Sequence, residues 1–162
     1  MMMLPLVLAA TVNAASPTIV TNDQLPGLFI AACLDGTART TGAATPIEFD
    51  ALPSDLRMRL GKPYKAQVWK LNGVDKSYLY SLSYRDRSFS PRICGIASDG
   101  LVLRPASAAV ESRLRGGVAS AGSSRPVEWI KEDAGYRALA TRKGGYTILQ
   151  VNWLNEEAAR TE

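Results

Sequence analysis

The side chains best placed to do chemistry in this 162-residue chain are its two cysteines, Cys33 and Cys94. A thiol can be a nucleophile, a redox centre, a metal ligand or half of a bridge. A redox pair is usually Cys-x-x-Cys with one acidic, exposed thiol, whereas these two lie far apart in sequence. A structural zinc site takes about four nitrogen or sulfur ligands, and two cysteines in a chain without histidine do not supply them. The missing histidine also removes the usual general base and the partner of a serine or cysteine nucleophile. No Ser-x-x-Lys, Gly-x-Ser-x-Gly, EF-hand spacing or phosphate-binding glycine loop is present. Gly95 to Ser98 is only superficially like a nucleophile elbow and runs into the turn Asp99-Gly100.

Carboxylates can hydrolyse a glycan without histidine. Glu48, Asp50, Glu128 and Glu132 are candidates, but no spacing singles out a pair, and solvated surface acids are the simpler reading.

One segment stands apart by charge. Between Arg57 and Arg92 lie Arg57, Arg59, Lys62, Lys65, Lys70, Lys76, Arg85, Arg87 and Arg92, opposed only by Asp75 and Asp86. The net charge of the whole chain is +4, so this segment outweighs an acidic remainder. Tyr64, Trp69, Tyr78, Tyr80, Tyr84 and Phe89 are interleaved with it. Basic residues among aromatics are a composition that binds polyanions. The candidate basic surface is Arg57, Arg59, Lys62, Lys65, Arg85, Arg87 and Arg92. The competing reading puts the period-two tyrosines in a sheet core or in cross-strand pairs, with the helix arginines merely solvated.

Residues 1–14 contain no charged side chain and a short apolar run, with Val12 and Ala14 where a signal peptidase reads small residues. The run is too short to span a bilayer. A signal peptide over 1–14 and a single exported domain over 15–162, periplasmic or secreted, is the expectation, with no membrane span once the signal is removed. Its n-region lacks lysine and arginine, and an apolar N-terminal strand or helix is the alternative. Ile30-Ala31-Ala32-Cys33 also matches a lipobox, but Asn22-Asp23-Gln24 and Pro26 interrupt the apolar stretch such a signal needs. In an oxidising compartment two cysteines favour one bridge, Cys33 to Cys94. Closing a loop of about 60 residues would contribute on the order of 4 kcal/mol in chain-entropy terms.

The elements that would position these residues follow from periodicity. Leu25, Leu28, Phe29, Ala32 and Cys33 share a helical face. Residues 36–46 read as a loop. Asp50 to Leu60 reads as a second helix, with Pro53 in its first turn and Gly61 as its stop. Strands are predicted over 67–71, 77–84 and 93–98, with a turn at Asn72-Gly73. Pro105 opens a third helix whose face is Ala106, Val110 and Leu114. Strands over 127–130, 136–141 and 146–153 follow, and Leu154 begins a short helical tail. The fold class is therefore α+β: an antiparallel sheet of two three-strand meanders, helices packed on it, and one disulfide.

Phe29 and Cys33 in a first helix, then Leu52-Pro53, Leu60-Gly61-Lys62-Pro63, Val68-Trp69 and Cys94-Gly95, resemble the layout of small exported bacterial proteins of unknown function. The resemblance covers roughly residues 25–115. It implies an exported single domain and assigns no activity, cofactor or site residue. The sequence thus points to a non-enzymatic binding or accessory module of the cell envelope. Its partner would be an envelope protein or an anionic envelope polymer rather than nucleic acid. A carboxylate-dependent enzyme acting on glycans is the alternative, and no cofactor is expected.

Overall fold

The structure, a computed structural model, describes residues 18–36, 42–85, 91–114, 127–131 and 135–153. The signal segment 1–14, Arg87, Glu132 and the tail from Leu154 lie outside the described residues.

Seven strands form one antiparallel sheet: β1 (Ala44–Ile47), β2 (Lys65–Leu71), β3 (Ser77–Ser83), β4 (Arg92–Ser98), β5 (Val127–Lys131), β6 (Tyr136–Lys143) and β7 (Tyr146–Trp153). Their order across the sheet is β1-β2-β3-β4-β7-β6-β5. The two expected meanders are present and join edge to edge where β4 pairs with β7, Cys94 opposite Val151 and Ile96 opposite Leu149. β1 corrects the end of the stretch 36–46 read as a loop, over residues 44–46. It pairs with β2, Pro46 opposite Trp69 and Ile47 opposite Val68. Thr45 and Ile47 favour a strand, but Ala44 and Pro46 do not, so the local signal is too short and interrupted, and long-range pairing decides the conformation of this stretch. Pro46 is tolerated because β1 is an edge strand.

Side chains alternate between the two sheet faces, and each face carries its own core. On the first face lie Leu71, Leu79, Cys94, Ile96, Leu149, Val151, Ala138 and Ala140. They are covered by α1 (Leu25–Phe29), by a widened turn over Ile30–Leu34, and by α3 (Leu103–Leu114) through Ala106, Val110 and Leu114. The helix expected through Cys33 is thus not uniform. A 3-10 turn over Asn22–Gln24 leads in, with the Thr21 amide donating to Gln24 Oε1 at 3.0 Å. At the far end the Asp35 amide reaches back to the Ile30 carbonyl at 2.9 Å, a five-residue π step. Cys33 and Cys94 form the disulfide across this interface, with Cα atoms 5.4 Å apart. Such a bond fits an oxidising environment.

On the second face lie Val68, Tyr78, Tyr80, Leu82, Tyr84, Ile93, Ala97, Tyr146 and Ile148, covered by Leu52 and by α2 (Ser54–Leu60) through Leu56 and Leu60. The expected helix over 50–60 is split into a 3-10 turn, Phe49–Ala51, and α2. Leu52 and Pro53 are extended between them, since a residue before proline avoids helical angles. α3 starts two residues before Pro105, which occupies its first turn, where the missing N–H costs nothing. Gly61, at φ 75°, ends α2, and the buried Tyr84 hydroxyl donates to the Leu60 carbonyl at 2.5 Å, satisfying one of the helix's free acceptors.

Asn72 ties the sheet's first edge together. It accepts from the Val20 amide at 2.8 Å, donates through its own amide to Ala43 at 3.0 Å, and bonds the Thr45 hydroxyl at 3.1 Å through its side chain. Gly73 follows at φ 87°, and a side chain there would run into Ile19 and the Val20 carbonyl. The turn is therefore glycine for two reasons: its backbone conformation and the strap lying over it.

Candidate functional site

The basic segment divides into three places. Lys70 lies on β2 opposite Thr45 of the edge strand, and Lys76, in the turn before β3, pairs with Asp99 at 3.8 Å. α2 carries Arg57, which pairs with Asp50 at 3.6 Å, and Arg59, which faces the opposite way into a cavity. Both sit in the last turn of α2, where the helix dipole favours cations.

Among the described residues the segment's other cations, Lys62, Lys65, Arg85 and Arg92, lie at or beside one corner of the sheet. Register places Lys65 opposite Ser83 and Ser83 opposite Arg92. These three residues lie on the same face, and Lys65 and Arg92 stand two strands apart, about 10 Å between backbones. The Tyr64 amide donates to the Ser83 carbonyl at 3.0 Å, and the Tyr84 amide to the Pro91 carbonyl at 2.7 Å, so the three strand ends are fastened together. Arg85 emerges next to them with its guanidinium 4.9 Å from the Tyr64 ring centroid. Stacking of this kind holds an exposed arginine flat at a gain of about 0.5–1 kcal/mol. Lys62, Tyr64, Lys65 and Arg85 are exposed and Arg92 is half-buried. Among the described residues no ion pair uses Lys62, Lys65 or Arg85.

The aromatic part of the segment behaves differently. Tyr78, Tyr80 and Tyr84 are buried in the second-face core, and of the tyrosines in the basic segment only Tyr64 is exposed. Among the described residues the corner is thus a cationic site with one aromatic platform, Tyr64.

A cavity of about 630 Å³ lies between α2 and the middle of the second face. Tyr146, Ile148 and Gln150 line it from alternate positions of β7, and Leu56 and Leu60 from α2. Asp55 and Lys143 stand at the end nearest the β6–β7 hairpin, and Arg59 and Gln150 also line it. Gln150 is held in place: its Oε1 accepts from the Tyr80 hydroxyl at 2.8 Å and its Nε2 donates to Asn152 Oδ1 at 2.6 Å. Burial pushes the Tyr80 phenol well above its ordinary value, an effect the nearby Arg59 charge partly offsets. It therefore stays a donor at neutral pH.

This network explains Gly95. Tyr80, Gly95 and Gln150 lie in one row across three strands. A β-carbon on Gly95 would meet the Tyr80 oxygen at 2.5 Å and the Leu149 carbonyl at 2.7 Å. The phenol crosses the strand over the one residue with no side chain. Sequence reasoning noted Gly95 beside Cys94 without this role. The signal for it is a glycine inside a strand pattern, which marks a close approach.

Of the candidate carboxylates, Asp50 is largely exposed in its pair with Arg57, and Glu48 precedes the same 3-10 turn. Neither lines the cavity, whose one acid among the described residues is Asp55. No group of three or more metal-binding side chains occurs among the described residues. No helix among them is long and apolar enough to cross a membrane. No family model, curated protein or solved structure matches the chain.

Proposed function

We propose that the chain is an exported, disulfide-stapled, non-enzymatic binding module that docks an anionic polymer of the cell envelope through the corner formed by Lys62, Tyr64, Lys65, Arg85 and Arg92. The observation that carries this reading is the convergence of Lys65, Arg85 and Arg92 at three strand ends, with Arg85 laid on Tyr64 and Lys62 just before β2. A polyanion needs several cations at fixed spacing rather than one deep pocket, and a rigid sheet end supplies them at little entropic cost. The disulfide supports export, where such polymers are found.

The test is elution of residues 15–162 from an immobilised polyanion such as heparin by a salt gradient. The triple variant Lys62→Gln, Lys65→Gln, Arg85→Gln is expected to elute at clearly lower salt than a control with Lys70, Lys76 and Arg104 changed to glutamine. Both variants have the same net charge. Equal elution of the two would reduce the corner to a general charge effect. Retention of a discrete acidic protein from envelope extract, lost in the same triple variant, would replace the polymer by a protein partner.

A further inference from the structure

The cavity beside α2 has a composition unlike that of the basic corner. Leu56 and Leu60 on the helix and Ile93 and Ile148 on the sheet supply its apolar walls, with charged and polar side chains set among them. Pockets of about 300–1,000 Å³ with apolar walls and a few fixed polar groups are the size that encloses a small molecule, and about 630 Å³ falls within that range.

The polar groups are distributed unevenly. At the hairpin end, Asp55 and Lys143 carry opposite charges, and the β-carbon position of Gly144 lies 4.0 Å from Asp55 Cβ, so helix and hairpin close against each other there. Arg59, one turn further along α2 from Asp55, forms no ion pair among the described residues. It shares the lining with Gln150, which is 9% exposed and fixed through Tyr80 and Asn152. The result is a slot of mixed lining in which two cations, Arg59 and Lys143, outnumber the one acid, Asp55, and in which Gln150 is a fixed amide. Met58, 76% exposed on α2, supplies a pliable rim.

We infer that this cavity binds an amphipathic carboxylate, with its apolar body against Leu56, Leu60, Ile93 and Ile148 and its carboxylate beside Arg59 and Gln150. Arg59 supplies charge-assisted hydrogen bonds, which are about twice as strong as neutral ones, and Gln150 supplies orientation. The inference does not rest on the polyanion reading, since none of the residues of the basic corner lines the cavity.

The experiment is calorimetric titration of the folded chain with dodecanoate below its micelle concentration, beside dodecanol and dodecyltrimethylammonium. Dodecanoate is expected to bind at micromolar concentrations, and the alcohol and the cation about tenfold or more weaker. Arg59→Gln should remove most of that preference, because a charged hydrogen bond is worth roughly a tenfold change or more. The Lys62, Lys65, Arg85 triple variant should bind dodecanoate like the parent, so failure of one proposal is distinguishable from failure of the other. Amide shifts on dodecanoate addition should centre on Ile93, Ile148 and Gln150, a readout that needs no variant. Absence of binding, equal affinity for the three probes, an unchanged affinity in Arg59→Gln, or shifts centred elsewhere would each overturn the assignment.

Discussion

The two faces of the sheet solve the same packing problem in different ways. The first is covered by α1 and α3 and stapled by the Cys33–Cys94 bond, and its buried core is mostly aliphatic, with Phe29 and Trp153 and no buried tyrosine. The second is covered by the seven residues of α2 and fills its space with tyrosines whose hydroxyls reach Leu60 and Gln150. A short helix cannot hide a face this broad, so a cavity remains at its flank. The stapled face is where stability is concentrated, and the thinly covered face is where polar groups meet apolar walls.

That contrast can be broken from either side. Replacing both cysteines, Cys33→Ala with Cys94→Ala, is expected to have the largest effect, a loss of about 2–5 kcal/mol. It should appear as a lower urea midpoint, and an unchanged midpoint would remove the staple from the account. Gly95→Ala acts on the second face. It forces Tyr80 off its seat and is expected to cost about 1–3 kcal/mol, while Gly27→Ala in α1, where nothing lies near the β-carbon position and φ is not positive, should cost nothing and serves as the control.

Tyr80→Phe is the mildest. It removes one hydrogen bond to a Gln150 oxygen at the cavity wall, for a loss of about 1 kcal/mol at neutral pH. It sharpens the comparison through its pH dependence. Burial raises the Tyr80 phenol in the folded chain, so the unfolded chain releases its proton first. Stability from this group is complete below about pH 10 and falls as pH rises beyond it. Tyr78 and Tyr146 are also raised, chiefly by burial, and add to the same decline. Tyr80→Phe should therefore show a shallower loss of stability above about pH 10 than the parent. Parallel curves would mean that the phenol is not protected in the folded state.

Much of the architecture is legible in the residues because it is local. Period-two alternation over Ser77–Ser83 and Tyr146–Trp153 assigns each side chain to a face, and the buried Tyr78, Tyr80 and Leu82 keep to one of them. Asn72-Gly73 and Gly144-Gly145 mark turns by backbone conformation. Two cysteines without histidine exclude whole classes of chemistry by composition alone. Other features depend on pairing between distant segments, to which a local pattern is blind. The edge strand β1 exists because β2 offers it a ladder, and β4 meets β7 although about 50 residues separate them.

The candidate site divides the same way. Its charge was written in the stretch from Arg57 to Arg92, but tertiary structure sorted those cations. Lys65, Arg85 and Arg92 went to one corner because three strand ends meet there, Arg57 went to Asp50, and Arg59 went to a cavity that no motif announces. Side-chain type and alternation are properties of neighbours in sequence, so the chain by itself determined the sheet faces, the turns and the excluded chemistries. Which cations stand together, and which apolar walls are left uncovered, depends on contacts closed across long loops, and only the folded sheet decided them.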